Sequence, residues 1–130
     1  MQTFLPYPEF VETAKVLDYR RLGNQRVEAR KILSTISNGG GWSNHPAVRM
    51  WRGYEAALTK YSNIMIQEWI RRGYRNTMEI IDPGIVKLPP WVGDPAFHAS
   101  HRGNLLRKDP SWYGKFGWSE SPDLPYVWPV

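Results

Sequence analysis

The sequence predicts an all-α fold: a single domain spanning residues 1–130, built of about three helices with long ordered connections, and a C-terminal tail wrapped on them. Three observations predict it. Apolar residues recur at helical spacing over Leu17–Ile36 and again from Ala47 to Trp69. Prolines that suit a first helical position stand at Pro46 and Pro95, each just after a capping residue. The tail KDPSWYGKFGWSESPDLPYVWPV is too rich in Pro, Gly and aromatics for regular structure and too apolar to be disordered, so it should pack on the helices.

In chain order, Pro6 and Pro8 prevent a helix from starting before Pro8, so the N-terminal segment should run extended and be held on the domain. A short helix over Pro8–Val16 follows, then the long one, with Asp18 as its N-cap if the two are separate. Gly23 weakens that helix by about 1 kcal/mol relative to alanine, which is either tolerated or permits a close approach. Asn38 and Gly39–Gly41 end it with residues that tolerate a left-handed conformation. The spacing of Trp51, Tyr54, Leu58, Tyr61, Met65 and Trp69 predicts one continuous helix of over twenty residues from Pro46 to Gly73, capped by Asn44 or His45. Arg71 and Arg72 at its end suit the helix dipole and are expected to be structural. Residues 74–93 read as a Pro- and Gly-rich connector, and Asp94–Pro95 opens a third helix to about Arg107.

Composition narrows the function. Without cysteine there are neither disulfides nor thiolate metal sites, and no stretch approaches the roughly 20 apolar residues of a membrane span. A soluble, cytoplasmic, monomeric protein with no metal, no cofactor and no membrane contact is expected. The net charge is +5, with eleven arginines against six lysines, and arginine favours forked recognition of phosphate. Most of the seven tryptophans and seven tyrosines must be core, yet several sit in Gly- and Pro-rich segments among basic residues, where a base could stack on them.

The long first helix carries charge where it should be apolar. Leu22, Ala29, Ile32, Leu33 and Ile36 form its inward stripe, and Asp18, Arg21, Gln25 and Glu28 fall within or beside it. Such a row survives burial either as a self-satisfied ladder, Asp18 with Arg21 and Glu28 with Arg21 or Gln25, or as the lining of a cleft open to ligand. Both readings stand at this level.

Several motifs together resemble the pyrimidine-dimer DNA glycosylases of the endonuclease V type, small phage and bacterial base-excision repair enzymes. They are the pattern Leu17, Asp18, Leu22, Glu28 opening a long helix, His45-Pro46, the step Arg72-Gly73-Tyr74, Gly93-Asp94, and Pro110-Ser111-Trp112-Tyr113 in the tail. The resemblance implies a glycosylase with associated abasic-site lyase activity on double-stranded DNA containing a damaged or modified base. It further implies that the N-terminal α-amine attacks C1′ and that a carboxylate on the first long helix assists. An α-amine, with a typical pKa near 8, is a usable nucleophile at neutral pH. Gln2 is a large residue, so Met1 should be retained and supply the amine. Glu28 matches the bacterial branch as the carboxylate, whereas a gapless alignment with the phage enzyme places Arg21 at that enzyme's carboxylate. Arg21 and Gln25 would hold phosphate or orient the carboxylate, and Asp18 would steady Arg21. None of the six lysines lies on the stripe.

Other candidates keep two readings each. His45 caps a helix or acts on substrate. His98 and His101 contact DNA or pack beneath the tail, and with His45 they are a poor metal set for want of a matching acidic ligand. Trp112 and Tyr113 stack on a base or belong to the core. Arg20, Arg26, Arg49, Arg52, Arg102 and Lys115 contact phosphate or are solvated surface. Two other functions fit the same residues: a non-catalytic DNA- or protein-binding module, and an enzyme redirected to a free nucleotide.

Overall fold

The computed structural model describes residues 1–130 and contains six helices and no strand. Three are long: α2 (Tyr19–Asn38), α4 (Glu55–Arg71) and α5 (Pro95–Lys108). Three are short: α1 (Phe10–Val16), α3 (Pro46–Arg49) and α6 (Pro110–Tyr113). The all-α expectation and the wrapped tail both hold.

Local chemistry sets most boundaries. Leu17 is extended and separates α1 from α2, whose N-cap Asp18 accepts a hydrogen bond from the Arg21 N–H. Gly39, at φ 76°, ends α2 while its N–H returns to the Thr35 carbonyl. His45 caps α3 through Nδ1, which accepts from the Ala47 N–H at 3.0 Å, and Asp94 caps α5 in the same manner. Arg72 bonds Glu68 at 2.8 Å and the carbonyls of Ala14 and Lys15, which is the structural role expected of it.

The helix expected to run unbroken from Pro46 to Gly73 is in fact two. The chain leaves α3 at Met50 and turns through Gly53, at φ 91°, before α4 begins. Tertiary contacts compensate the break. The Met50 carbonyl accepts from Trp91 Nε1 at 3.2 Å, and Trp51 swings fully into the core, against Trp91, Phe10 and Tyr61. Apolar spacing alone could not reveal this, because both halves keep their buried faces.

α2 packs along α4, and Gly23 marks a close approach between them. A Cβ there would stand 2.9 Å from Cζ3 of Trp69, so the glycine admits the indole. Gly103 does the same for the tail on α5, where a Cβ would meet the Ser121 carbonyl oxygen at 2.5 Å. The tail is more regular at its start than expected. It opens with α6, capped by Asp109, and a 3-10 turn over Gly114–Phe116. Beyond that it is irregular, with Trp118 stacked on Tyr113, the Val127 N–H bonded to Ser100 Oγ, and Trp128 against His45.

Candidate active site

α2 and the N-terminal segment form two walls of an open cleft of about 350 Å³. Met1 and Gln2 reach it from one side, and Arg20, Arg21, Asn24 and Glu28 from the other. The inner wall includes Phe4 and Gln25, and Lys108, the last residue of α5, completes the lining.

The polar stripe divides between the two readings it allowed. Asp18 and Arg21 are a structural pair: Arg21 Nη1 lies 3.1 Å from Asp18 Oδ1, and Tyr113 donates its hydroxyl hydrogen to the same carboxylate. The Asp18 N–H in turn donates to Tyr113 Oη at 3.0 Å. Burial pushes the Asp18 carboxyl up, but the hydrogen bonds from Tyr113 and Arg21 outweigh it and leave the group below the usual carboxylate range. Burial also keeps the Tyr113 phenol protonated, so it remains a donor. The expected ladder stops there. The Glu28 carboxylate is half-buried in the cleft and has neither an ion-pair partner nor a hydrogen bond from Arg21 or Gln25.

Gln25 departs from its expected role. It is 3% exposed, and its amide is committed to Gln2, Phe4 and Tyr61, so it is not free to hold phosphate or to orient Glu28.

His45 stands near both the amino terminus and Glu28. Burial lowers its pKa first, the positive amino terminus lowers it further, and Glu28 partly opposes them. Because Nδ1 accepts the capping bond, a neutral ring carries its proton on Nε2. The ring caps α3 and is not among the residues that line the cleft. Trp42 and Trp128 flank the ring, each with centroids 5.6 Å away.

A family model described as "Pyrimidine dimer DNA glycosylase" matches residues 1–82, more than half of the chain. The chain belongs to the pyrimidine dimer DNA glycosylase family. No curated protein and no solved structure matches it. The matched residues include Met1, Arg21, Glu28 and His45, whereas Lys108 and the tail lie beyond them.

Within this family member, several expected DNA contacts are corrected by burial. His98 and His101 are 2% and 0% exposed, and both bond the Leu5 peptide group, so neither reaches a ligand. Tyr113 is fully buried on Asp18 and cannot stack on a base. Trp112 is half-buried, bonds the Val16 carbonyl through Nε1, and has Lys115 Nζ 3.4 Å from its ring centroid, which occupies that face. Arg102 is tied to Glu120 and the Pro6 carbonyl. Arg26 lies 4.2 Å over Trp69 and bonds Asn76. Arg20 lines the cleft; Arg49 and Arg52 are exposed, and Arg52 bonds the Ser43 carbonyl in the loop before His45. The three histidines form no metal cluster.

Two cleft residues escaped the sequence reading. Asn24 was legible in principle, since it lies one turn before Glu28 on the same helix. Lys108 was not, because only the docking of α5 brings it there. It is a second amine in the cleft, so exclusion of lysines from the α2 stripe does not exclude them from the site.

Proposed function

We propose that this protein excises a damaged base, a pyrimidine dimer, from double-stranded DNA and then nicks the strand as an abasic-site lyase. The observation that carries this reading is the meeting of Met1 and a carboxylate with no structural partner, Glu28, in one cleft edged by Arg20, Arg21 and Lys108. The Met1 amine attacks C1′ as the C1′–N bond to one base of the dimer breaks, and that base takes up a proton and stays joined to its dimer partner. Opening of the sugar ring leaves an imine between the amine and C1′. Glu28 stabilises the cationic sugar and then removes a C2′ proton, and the C3′–O bond breaks to release the 3′ phosphate. Arg21, paired with an Asp18 that Tyr113 holds in turn, binds a phosphate, and His45, with its proton on Nε2, is the proposed proton donor. The damaged nucleotide must leave the base stack to enter the cleft.

The test is a duplex carrying one pyrimidine dimer, incubated with protein in the presence and absence of borohydride. Damage-dependent nicking without borohydride and a covalent protein–DNA adduct with it are expected. Binding with neither product would favour the non-catalytic module, and turnover of free nucleotides alone would favour the redirected enzyme.

A further inference from the structure

Residues 2–6 cross the core with no strand beside them, and side chains hold their backbone instead. Tyr126 Oη donates to the Thr3 carbonyl and Arg102 Nη1 to the Pro6 carbonyl, while Tyr61 Oη lies 2.7 Å from both the Phe4 carbonyl and Gln25 Oε1 and shares its one hydrogen between them. His101 Nδ1 accepts from the Leu5 N–H at 2.8 Å, and His98 Nδ1 bonds the Leu5 carbonyl at 2.7 Å. Gln25 makes the attachment nearest the amino terminus. Its Nε2 donates to the Gln2 carbonyl at 3.0 Å, while its Oε1 accepts from the Phe4 N–H at 3.0 Å. A carbonyl at one residue and an N–H two residues on is the pair that a neighbouring strand would bind, so this amide acts as a single link of β-ladder.

We propose that Gln25 is a positioning residue for the reaction, fixing the register of the N-terminal segment and thereby the place of the Met1 amine in the cleft. This rests on the amine-nucleophile reading above. A slip of one residue would displace the amine by roughly 3.3 Å, whereas misplacement by about 1 Å already costs on the order of 10²-fold in rate. Glutamine is suited to the task because it offers a donor and an acceptor in one plane. Glutamate would set an acceptor against the Gln2 carbonyl, and methionine would offer neither bond. Packing alone does not call for an amide at a site 3% exposed, since an apolar side chain fills such a site without needing partners.

The test compares wild type, Gln25→Met and Gln25→Glu on an abasic-site duplex. The single-turnover rate of borohydride trapping, the DNA Kd and amide hydrogen exchange are read for each. Gln25→Met is expected to lower the trapping rate on the order of 10²-fold while leaving Kd within about twofold. The Phe4 amide should exchange faster, with α4 amides unchanged. Gln25→Glu, isosteric with the natural side chain, covers the case in which Gln25→Met fails to fold. Its rate relative to wild type should recover as pH falls, because a neutral carboxyl can again donate to the Gln2 carbonyl. With the rate taken per folded molecule, a merely structural residue, whose ionisation changes only the folded fraction, would give no such recovery. A folded Gln25→Met that traps at the wild-type rate, or a Gln25→Glu whose relative rate is indifferent to pH, would overturn the proposal. Wild type that forms no adduct at all would overturn the amine-nucleophile reading itself, before any variant is compared.

Discussion

Glu28→Gln separates catalytic from structural roles along α2, because the two roles predict opposite results. The Glu28 carboxylate is half-buried and makes no ion pair or hydrogen bond, so replacing it with an isosteric amide removes no native contact. The stability change should stay within about 0.5 kcal/mol, the range of substitutions that break nothing. The rate is another matter. A positioned acid–base group contributes ~10²–10⁴-fold, which at ~1.36 kcal/mol per decade is roughly 2.7–5.4 kcal/mol of barrier. Asp18→Asn provides the contrast: that carboxylate is buried and serves Arg21 and Tyr113, and its loss should cost about 1–3 kcal/mol of stability. Urea unfolding together with single-turnover nicking of a dimer-containing duplex places each variant on both axes. A Glu28→Gln protein that keeps its rate per folded molecule within tenfold of wild type, or that loses more than ~1 kcal/mol of stability, would refute the assignment.

Other consequences follow from the same geometry. Burial holds His101 well below the ordinary histidine value of 6.5, and His98 also below it, so the unfolded chain binds more protons below that value. Stability should therefore be full above about pH 7 and fall as pH drops through 6.5 towards the folded values, by up to ~1.4 kcal/mol per pH unit per histidine; urea unfolding at pH 7.5 and 5.5 that gives equal stability would contradict it. Gly23→Ala places a methyl 2.9 Å from a Trp69 ring that Arg26 covers and that bonds the Arg75 carbonyl through Nε1. Overpacking of about 1–3 kcal/mol should outweigh the helical gain of about 1 kcal/mol, with a shift in tryptophan fluorescence, and a stabilised variant would show that the indole moves freely. Affinity for duplex DNA should fall steeply between ~50 and 200 mM salt as arginines release condensed counterions, and a flat profile would remove phosphate contacts from the account.

What was legible in the sequence was what local chemistry decides. Asp18, Pro46, Asp94–Pro95 and Gly39 act within a turn of the boundaries they set, and each did so. Gly53 passed as an interior helical residue, because its turn depends on Trp51 and Trp91 meeting across the core. The buried stripe on α2 was likewise legible as an anomaly. Its partners were not: Tyr113 is 95 residues from Asp18, and the backbone that satisfies Gln25 lies 21 and 23 residues away. The His98 and His101 face read equally well as a surface for DNA, since one helix cannot tell whether a distant segment covers it, and here the Leu5 peptide does. The same limit hid Lys108.

The central claim is that the amino terminus itself attacks the sugar, and the location of the trapped adduct tests it most directly. Wild-type protein is trapped with borohydride on an abasic-site duplex, digested and sequenced by mass spectrometry, in parallel with a form extended by two residues before Met1. The account predicts a label on the α-nitrogen of Met1 and no adduct from the extended protein, with DNA binding largely intact. A label on Lys108, the other amine in the cleft, or an adduct that survives the extension would contradict it.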